Sequence, residues 1–461
     1  MSFDTTHSRR AFMRRAAQLG SLGAAAPMLG SLGLISEAAA AETSSDYKAL
    51  VCVFLYGGND YANTVVPFDR ENHAAYARIR PNLALSRSQL YQRVLNAEND
   101  LGGRQFALNS ALWPLHSLFN RGKVAPLLNV GALVEPTSKI AYRRGAVRLP
   151  PNLFSHNDQQ SVVQSFEAEG ASKGWGGRMG DLLMSSNGTS ALTCVTVNGN
   201  AILLAGRRAK PFAVSPSGVT ELLNGYKSVA GSSEAYQAMI SMLTSREDNW
   251  LADEHTKISR RALETSSTVQ RALVQTPEST FSMFPRGNSL AAQLKMVARL
   301  IAQGPNMGLR RQVFFVGIGG WDMHSGLPRT HPGLLYKLAS ALGSFYQATE
   351  QMGVAKQVTT FTASDFGRTL SENGDGTDHG WGGTQFVMGG AVKGGRIYGS
   401  PPEVGVETDN DVGAGRLIPT TSIDQFAATL ATWFGLPTHY LPEILPNLRY
   451  FDRDSWDVGF L

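Results

Sequence analysis

The chain has 461 residues and a formal net charge of +5, long enough for one large α/β domain or two smaller ones. Residues 1–41 hold four arginines against Asp4 and Glu37, and no basic stripe with interleaved aromatics occurs elsewhere, which argues against nucleic-acid binding. The 48 glycines predict many tight turns and long loops. Cys52 and Cys194 each lie in an apolar, strand-like run and read as buried free thiols, with a disulfide between them as the alternative.

The amino terminus reads as an address. Ser8-Arg9-Arg10-Ala11-Phe12-Met13-Arg14-Arg15 is a twin-arginine pattern, followed by a Gly/Ala-rich apolar stretch to about Ile35 and small-residue cleavage options at Glu37-Ala38-Ala39-Ala40-Ala41. The stretch is too short and too Gly-rich to span a membrane, and no later run of about 20 apolar residues follows. Residues 1–41 are therefore expected to be a signal peptide. The twin-arginine translocation machinery is the expected partner, and the mature protein is expected to be periplasmic or secreted. That route carries proteins that fold before export, which favours a metal or cofactor site.

Leu50 to Tyr56 reads as a buried strand that ends in Gly57-Gly58-Asn59-Asp60, with a carboxylate just past its carboxyl end. The glycine pair lacks the rest of G-x-G-x-x-G, so a dinucleotide site is not supported. Trp113 to Asn120 predicts a short helix and Val124 to Val130 a strand. Ser155-His156-Asn157-Asp158 precedes a helix predicted over Gln159 to Glu169, which Ser155 or Asn157 would cap. A hydroxyl or imidazole at such a helix start also suits an anion, because free N–H groups and the helix dipole favour negative charge there. Gly174-Trp175-Gly176-Gly177-Arg178 opens a further segment before a strand at Leu192 to Val197. Ser233 to Val274 reads as long polar helices, a helical insertion without obvious chemistry, and Ser289 to Gln303 as an amphipathic helix.

The next stretch carries most of the candidate chemistry. Val313 to Ile318 predicts a buried strand leading into Gly319-Gly320-Trp321-Asp322-Met323-His324. A helix is predicted from His331 to Met352, closed by Gly353. A second strand, Gln357 to Thr362, runs into Ser364-Asp365-Phe366-Gly367-Arg368. Strand, helix, strand makes a crossover unit with parallel strands, placing Asp322, His324 and Asp365 just beyond strand carboxyl ends, where open α/β sheets bind ligands. A Gly-rich turn then carries Asp378-His379.

Asp60, His156, Asp322, His324, Asp365, Asp378 and His379 form a set of carboxylates and imidazoles suited to borderline divalent ions such as zinc, manganese or iron(II). Arg368 is placed to grip an oxyanion. Each piece also has a plain structural reading, since Asp in a Gly-rich turn often bonds its own backbone. Rival motifs do worse. Gly170-Ala171-Ser172-Lys173-Gly174 matches a nucleophile elbow but follows a helical stretch, and Asp365-Phe366-Gly367 lacks every other kinase element.

On these residues the chain resembles an exported bacterial family of unknown function, family fifteen-oh-one. The matching stretches are Leu55 to Asp60 with Asn63 to Pro67, Ser155-His156, Gly174 to Arg178, Gly320 to His324, Ser364 to Thr369, and Asn373 with Gly376 to Gly380. The resemblance implies a more distant kinship with alkaline phosphatases and sulfatases. It implies a mostly parallel α/β sheet sandwiched between helices, with metals held by Asp and His at strand ends. Asp60 would match the Asp after the first strand, Asp322 with His324 an Asp-plus-His pair, and Asp378 with His379 an Asp-His pair. Ser155 looks most like the nucleophile, with Thr64 as the alternative. Three departures stand out: Asp365 stands where relatives often have Glu, the usual long spacing inside the Asp-plus-His motif is reduced to one residue between Asp322 and His324, and neither cysteine begins the C-x-P-x-R motif of sulfatases. The expected function is a metal-dependent hydrolase or transferase acting on an anionic phosphate or sulfate ester, with Ser155 and Arg368 as its catalytic residues. The alternative is a binding or assembly protein that kept the fold without the chemistry.

Overall fold

A computed structural model describes residues 47–219, 228–229, 231–245 and 250–461, so the expected leader lies outside the described residues. Its strands, in chain order, are β1 (Lys48–Leu55), β2 (Val65–Pro67), β3 (Phe106–Leu108), β4 (Val124–Gly131), β5 (Cys194–Thr196), β6 (Phe212–Ala213), β7 (Arg311–Ile318), β8 (Val358–Ser364), β9 (Arg368–Glu372), β10 (Thr377–His379), β11 (Gly383–Gly389) and β12 (Thr421–Ser422). Eight of them form one sheet in the order β12-β4-β11-β8-β1-β7-β5-β6. β1 pairs in parallel with β7 on one side and β8 on the other. β11 is antiparallel to both β8 and β4, so it alone runs against the rest. The crossover expected between the two later strands is present, but β1 lies between them, so they are parallel without being neighbours.

Leu50, Cys52 and Phe54 of β1 share a core with Val313 and Phe315 of β7 and with Phe361 and Ala363 of β8. That face packs on Val163, Trp175, Met179 and Phe426, carried by the helices His156–Ser165, Trp175–Leu183 and Ile423–Phe434. Val51 and Val53, which point the other way, are also fully buried, so β1 is covered on both sides, as its unbroken apolar run requires. Each such side chain contributes about 1.5–3 kcal/mol through burial. The helices Ser289–Gln303 and Leu327–Gln351 pack against each other, and the first also against β7. Cys52 and Cys194 are buried and unpaired. Helices Ser233–Thr244 and Trp250–Gln275 occupy the stretch expected to be helical, and the first buries none of its residues. No helix among the described residues is long and apolar enough to cross a membrane.

The register fixes where the chemistry falls. Leu55 stands opposite both Ile318 and Ser364, so the three central strands end level with one another. The loops after them therefore leave the sheet side by side. The short antiparallel pair β9–β10 sets His379 opposite Arg368 and brings Asp378 and His379 to the same rim. Sequence periodicity did not predict this pair, because the two strands are short and their turn reads as a loop.

Candidate metal centre

Asp322, His324, His379 and His156 meet at this rim. Gly57 makes the approach of two loops feasible. It adopts a φ of +117°, and a Cβ there would lie 2.4 Å from the Asp322 nitrogen. His379 Nδ1 lies 2.7 Å from the Phe154 carbonyl oxygen, His324 Nδ1 3.1 Å from Asp378 Oδ1, and His156 Nδ1 2.7 Å from Asp365 Oδ2. Carbonyl and carboxylate oxygens accept, so each Nδ1 carries the proton and donates it. In the neutral form of each ring, Nε2 then keeps its lone pair.

Those lone pairs converge. His324 Nε2 is 2.9 Å from His379 Nε2 and 3.1 Å from Asp322 Oδ1. His379 Nε2 is 3.4 Å from Asp322 Oδ1, and His156 Nε2 is 3.4 Å from Asp322 Oδ2. One donor atom each from His156, Asp322 and His379 lies within 4.8 Å of the others, a grouping that could hold a metal ion. His156 Nε2 is buried without a hydrogen-bond partner, a costly arrangement unless something cationic satisfies it. Imidazole nitrogens with a carboxylate oxygen are the donor set of zinc and similar ions, and an acceptor behind each imidazole fixes its tautomer. The residues present fit a divalent metal.

The surrounding charges tune these groups. The bond to Asp365 raises the His156 pKa, with burial opposing and the charges of Asp365 and Asp322 adding to it. Burial lowers that of His379, against the Phe154 bond, and the positive charges of His156 and Arg368 push the same way. Burial tends to raise the Asp322 carboxyl, but its hydrogen bond and ion pair with Arg368 win and hold it below the usual range. Asp378 is likewise held low: burial opposes, while bonds from Asn373 and His324 prevail.

The expected site residues thus divide by role. His156, Asp322, His324 and His379 are brought together. Asp365 and Asp378, expected as ligands, stand behind His156 and His324, and Asp365 also accepts from Gly57 N and Gln160 Nε2. Asp60 is not brought to the group. Both its oxygens are taken by the buried Arg80 guanidinium at 2.7 and 2.8 Å, and Arg80 also bonds Asn63 and the Leu370 and Thr369 carbonyls. Arg368, expected to grip a substrate oxyanion, has no solvent exposure. It donates to Asp322 Oδ1 at 2.7 Å, to the Gly57 carbonyl and to Thr377, so it positions Asp322 instead. Thr64 is fully buried and donates to the Asp60 carbonyl. Ser155 directly precedes His156 as the helix N-cap, and its Oγ donates to Asp158 Oδ2 at 2.8 Å.

Sequence reading missed Arg80, Gln160 and the Phe154 carbonyl. Gln160 carried a signal, since it lies four residues after His156 on one helix face. A backbone carbonyl and a buried arginine beside Pro81 carried none.

A protein-family model described as "Protein of unknown function (DUF1501)" matches residues 47–444. The chain belongs to this family. No curated protein matches it. Among solved structures, this DUF1501 protein is similar to the PsFucS1 sulfatase from Pseudoalteromonas sp., with TM-score 0.36 and 10% identity over 92% of this chain and 76% of that one. It is also similar to the phosphonate monoester hydrolase SpPMH from Silicibacter pomeroyi, with TM-score 0.33 and 8% identity over 85% and 74% of the two chains. A mutant of the alkaline phosphatase PafA gives TM-score 0.29 and 11% identity over 70% and 64%.

Proposed function

We propose that this DUF1501 protein is an exported, metal-dependent hydrolase or transferase acting on a phosphate or sulfate ester. The observation that carries the reading is the convergence of the His156, His324 and His379 Nε2 atoms on Asp322, each imidazole fixed through its Nδ1. A borderline divalent ion such as zinc, manganese or iron(II) held there would supply Lewis acidity toward an anionic ester oxygen. Ser155 is the nucleophile candidate of the chain itself. Its hydroxyl is weak near neutral pH and would need activation by the ion; its Oγ donates to Asp158 Oδ2 at 2.8 Å. Asp322 and His324 keep side-chain exposures of 43% and 47%, which leaves the group open to an incoming ester. The twin-arginine leader supports export to the periplasm or beyond through the translocation machinery for folded proteins.

Elemental analysis of protein purified from its native export route tests the metal, and a screen of phosphate and sulfate esters tests the chemistry. The reading expects at least one transition-metal equivalent, lost in H379A, together with ester cleavage that chelation abolishes and the metal restores. Metal-loaded protein with no ester cleavage above background would support a second reading, a metal-holding binding or assembly protein. The internal engagement of Arg368, which leaves no guanidinium face for an anion, favours that alternative.

A further inference from the structure

A second feature, outside the rim, combines charge with apolar surface. An open groove runs between the long helix Trp250–Gln275 and the sheet edge at β6. Arg208, Lys210 and Arg261 line it, with Met184, Phe212 and Ile258 among its apolar residues and no carboxylate. Ile258 is 63% exposed.

The turn that carries Arg208 is preformed. Asp181 accepts from three successive backbone N–H groups, those of Arg207, Arg208 and Ala209, at 2.7–2.8 Å. The Gly206 N–H donates to the Ala209 carbonyl and closes the turn. This pinning buries Ala209 and leaves Arg208 and Lys210 exposed on either side of it. Arg261 reaches the same groove from the helix. On that helix Asp253 and Glu254 are paired with Lys257, so they do not neutralise it. Among the described residues neither Arg208 nor Arg261 makes an ion pair. Three cations around an apolar floor match a ligand with an acidic head and an alkyl body, since the head finds charge complementarity and the body sheds water.

We propose that this groove binds an anionic membrane lipid, its acidic head held by Arg208, Lys210 and Arg261 and its alkyl part laid against Met184, Phe212 and Ile258. The test uses the full chain in three arms: monomeric short-chain phosphatidic acid, phosphatidylglycerol vesicles with phosphatidylcholine vesicles as control, and inorganic phosphate. The short-chain lipid is expected to bind, and the anionic vesicles in preference to the neutral ones. R208Q and R261Q should each weaken binding about fivefold. I258S should also weaken it, with unchanged Tm and unchanged metal content in all three variants. Binding to both the monomer and the anionic vesicles is the outcome a membrane lipid requires, and binding to the monomer alone would overturn the proposal. The proposal is overturned if inorganic phosphate binds as tightly as the lipid, if vesicle charge makes no difference, or if I258S binds like the parent chain.

Discussion

Asp365 stands directly behind His156, its Oδ2 2.7 Å from Nδ1. It does not face the convergence point, yet it sets which imidazole nitrogen does. D365N replaces a charged acceptor with a neutral one, which weakens the hold on the His156 Nδ1 proton. Carboxylates behind metal-bound imidazoles typically govern affinity by 10–100-fold. The expected outcome is a loss of that size in zinc affinity by competition titration, with the α/β fold intact by circular dichroism. Unchanged affinity would remove His156 from the ligand set.

The Asp60–Arg80 pair makes the opposite prediction. Both side chains are fully buried and joined by two hydrogen bonds. R80M leaves an uncompensated buried carboxylate, with a cost of about 3–5 kcal/mol in chemical unfolding. Metal bound per folded molecule should not change in D60N. A D60N protein that folds and loses its metal would return Asp60 to the ligands.

Gly57 offers a steric test. G57A places a Cβ 2.4 Å from the Asp322 nitrogen at a φ that alanine tolerates poorly. We expect about 1–3 kcal/mol of destabilisation and, beyond it, at least a tenfold weaker ion site, because the loop that must shift carries Asp322. Lowered Tm with unaltered ion affinity would separate that loop from the site.

Stability should also depend on pH through Asp424, whose carboxyl burial pushes up to about 7, against the hydrogen bonds from Asn447. A raised folded-state value means the native state binds the proton more tightly. Its contribution is complete below about pH 4, the unfolded value, and is lost as pH rises through about 7. D424N should flatten the unfolding free energy across that window, a difference on the order of a few kcal/mol. Parallel pH profiles for the two proteins would contradict the assignment.

Much of this architecture was legible from patterning. Val313 to Ile318 and Leu50 to Leu55 are apolar without alternation, as strands covered on both faces must be, and the carboxylates after them mark the sheet's carboxyl edge. Residue roles were less legible. Asp60 and Asp365 each follow a strand in a Gly-rich turn, and only the tertiary partner, Arg80 for one and His156 for the other, separates an internal ion pair from support of an imidazole. Arg368 looked like an anion grip because sequence shows its charge and not its burial. The turn from Asn373 to Gly376 looked irregular because two strands of a few residues carry no readable period.

The nitrogen and oxygen donors at the rim come from three places in the chain, position 156, the loop holding 322 and 324, and position 379, separated by several strands and helices. No short fragment of the chain can bring them together, so ion uptake would be a late event in maturation. A dye-based zinc assay during refolding would then double as a clock for completed assembly, lagging behind the appearance of secondary structure.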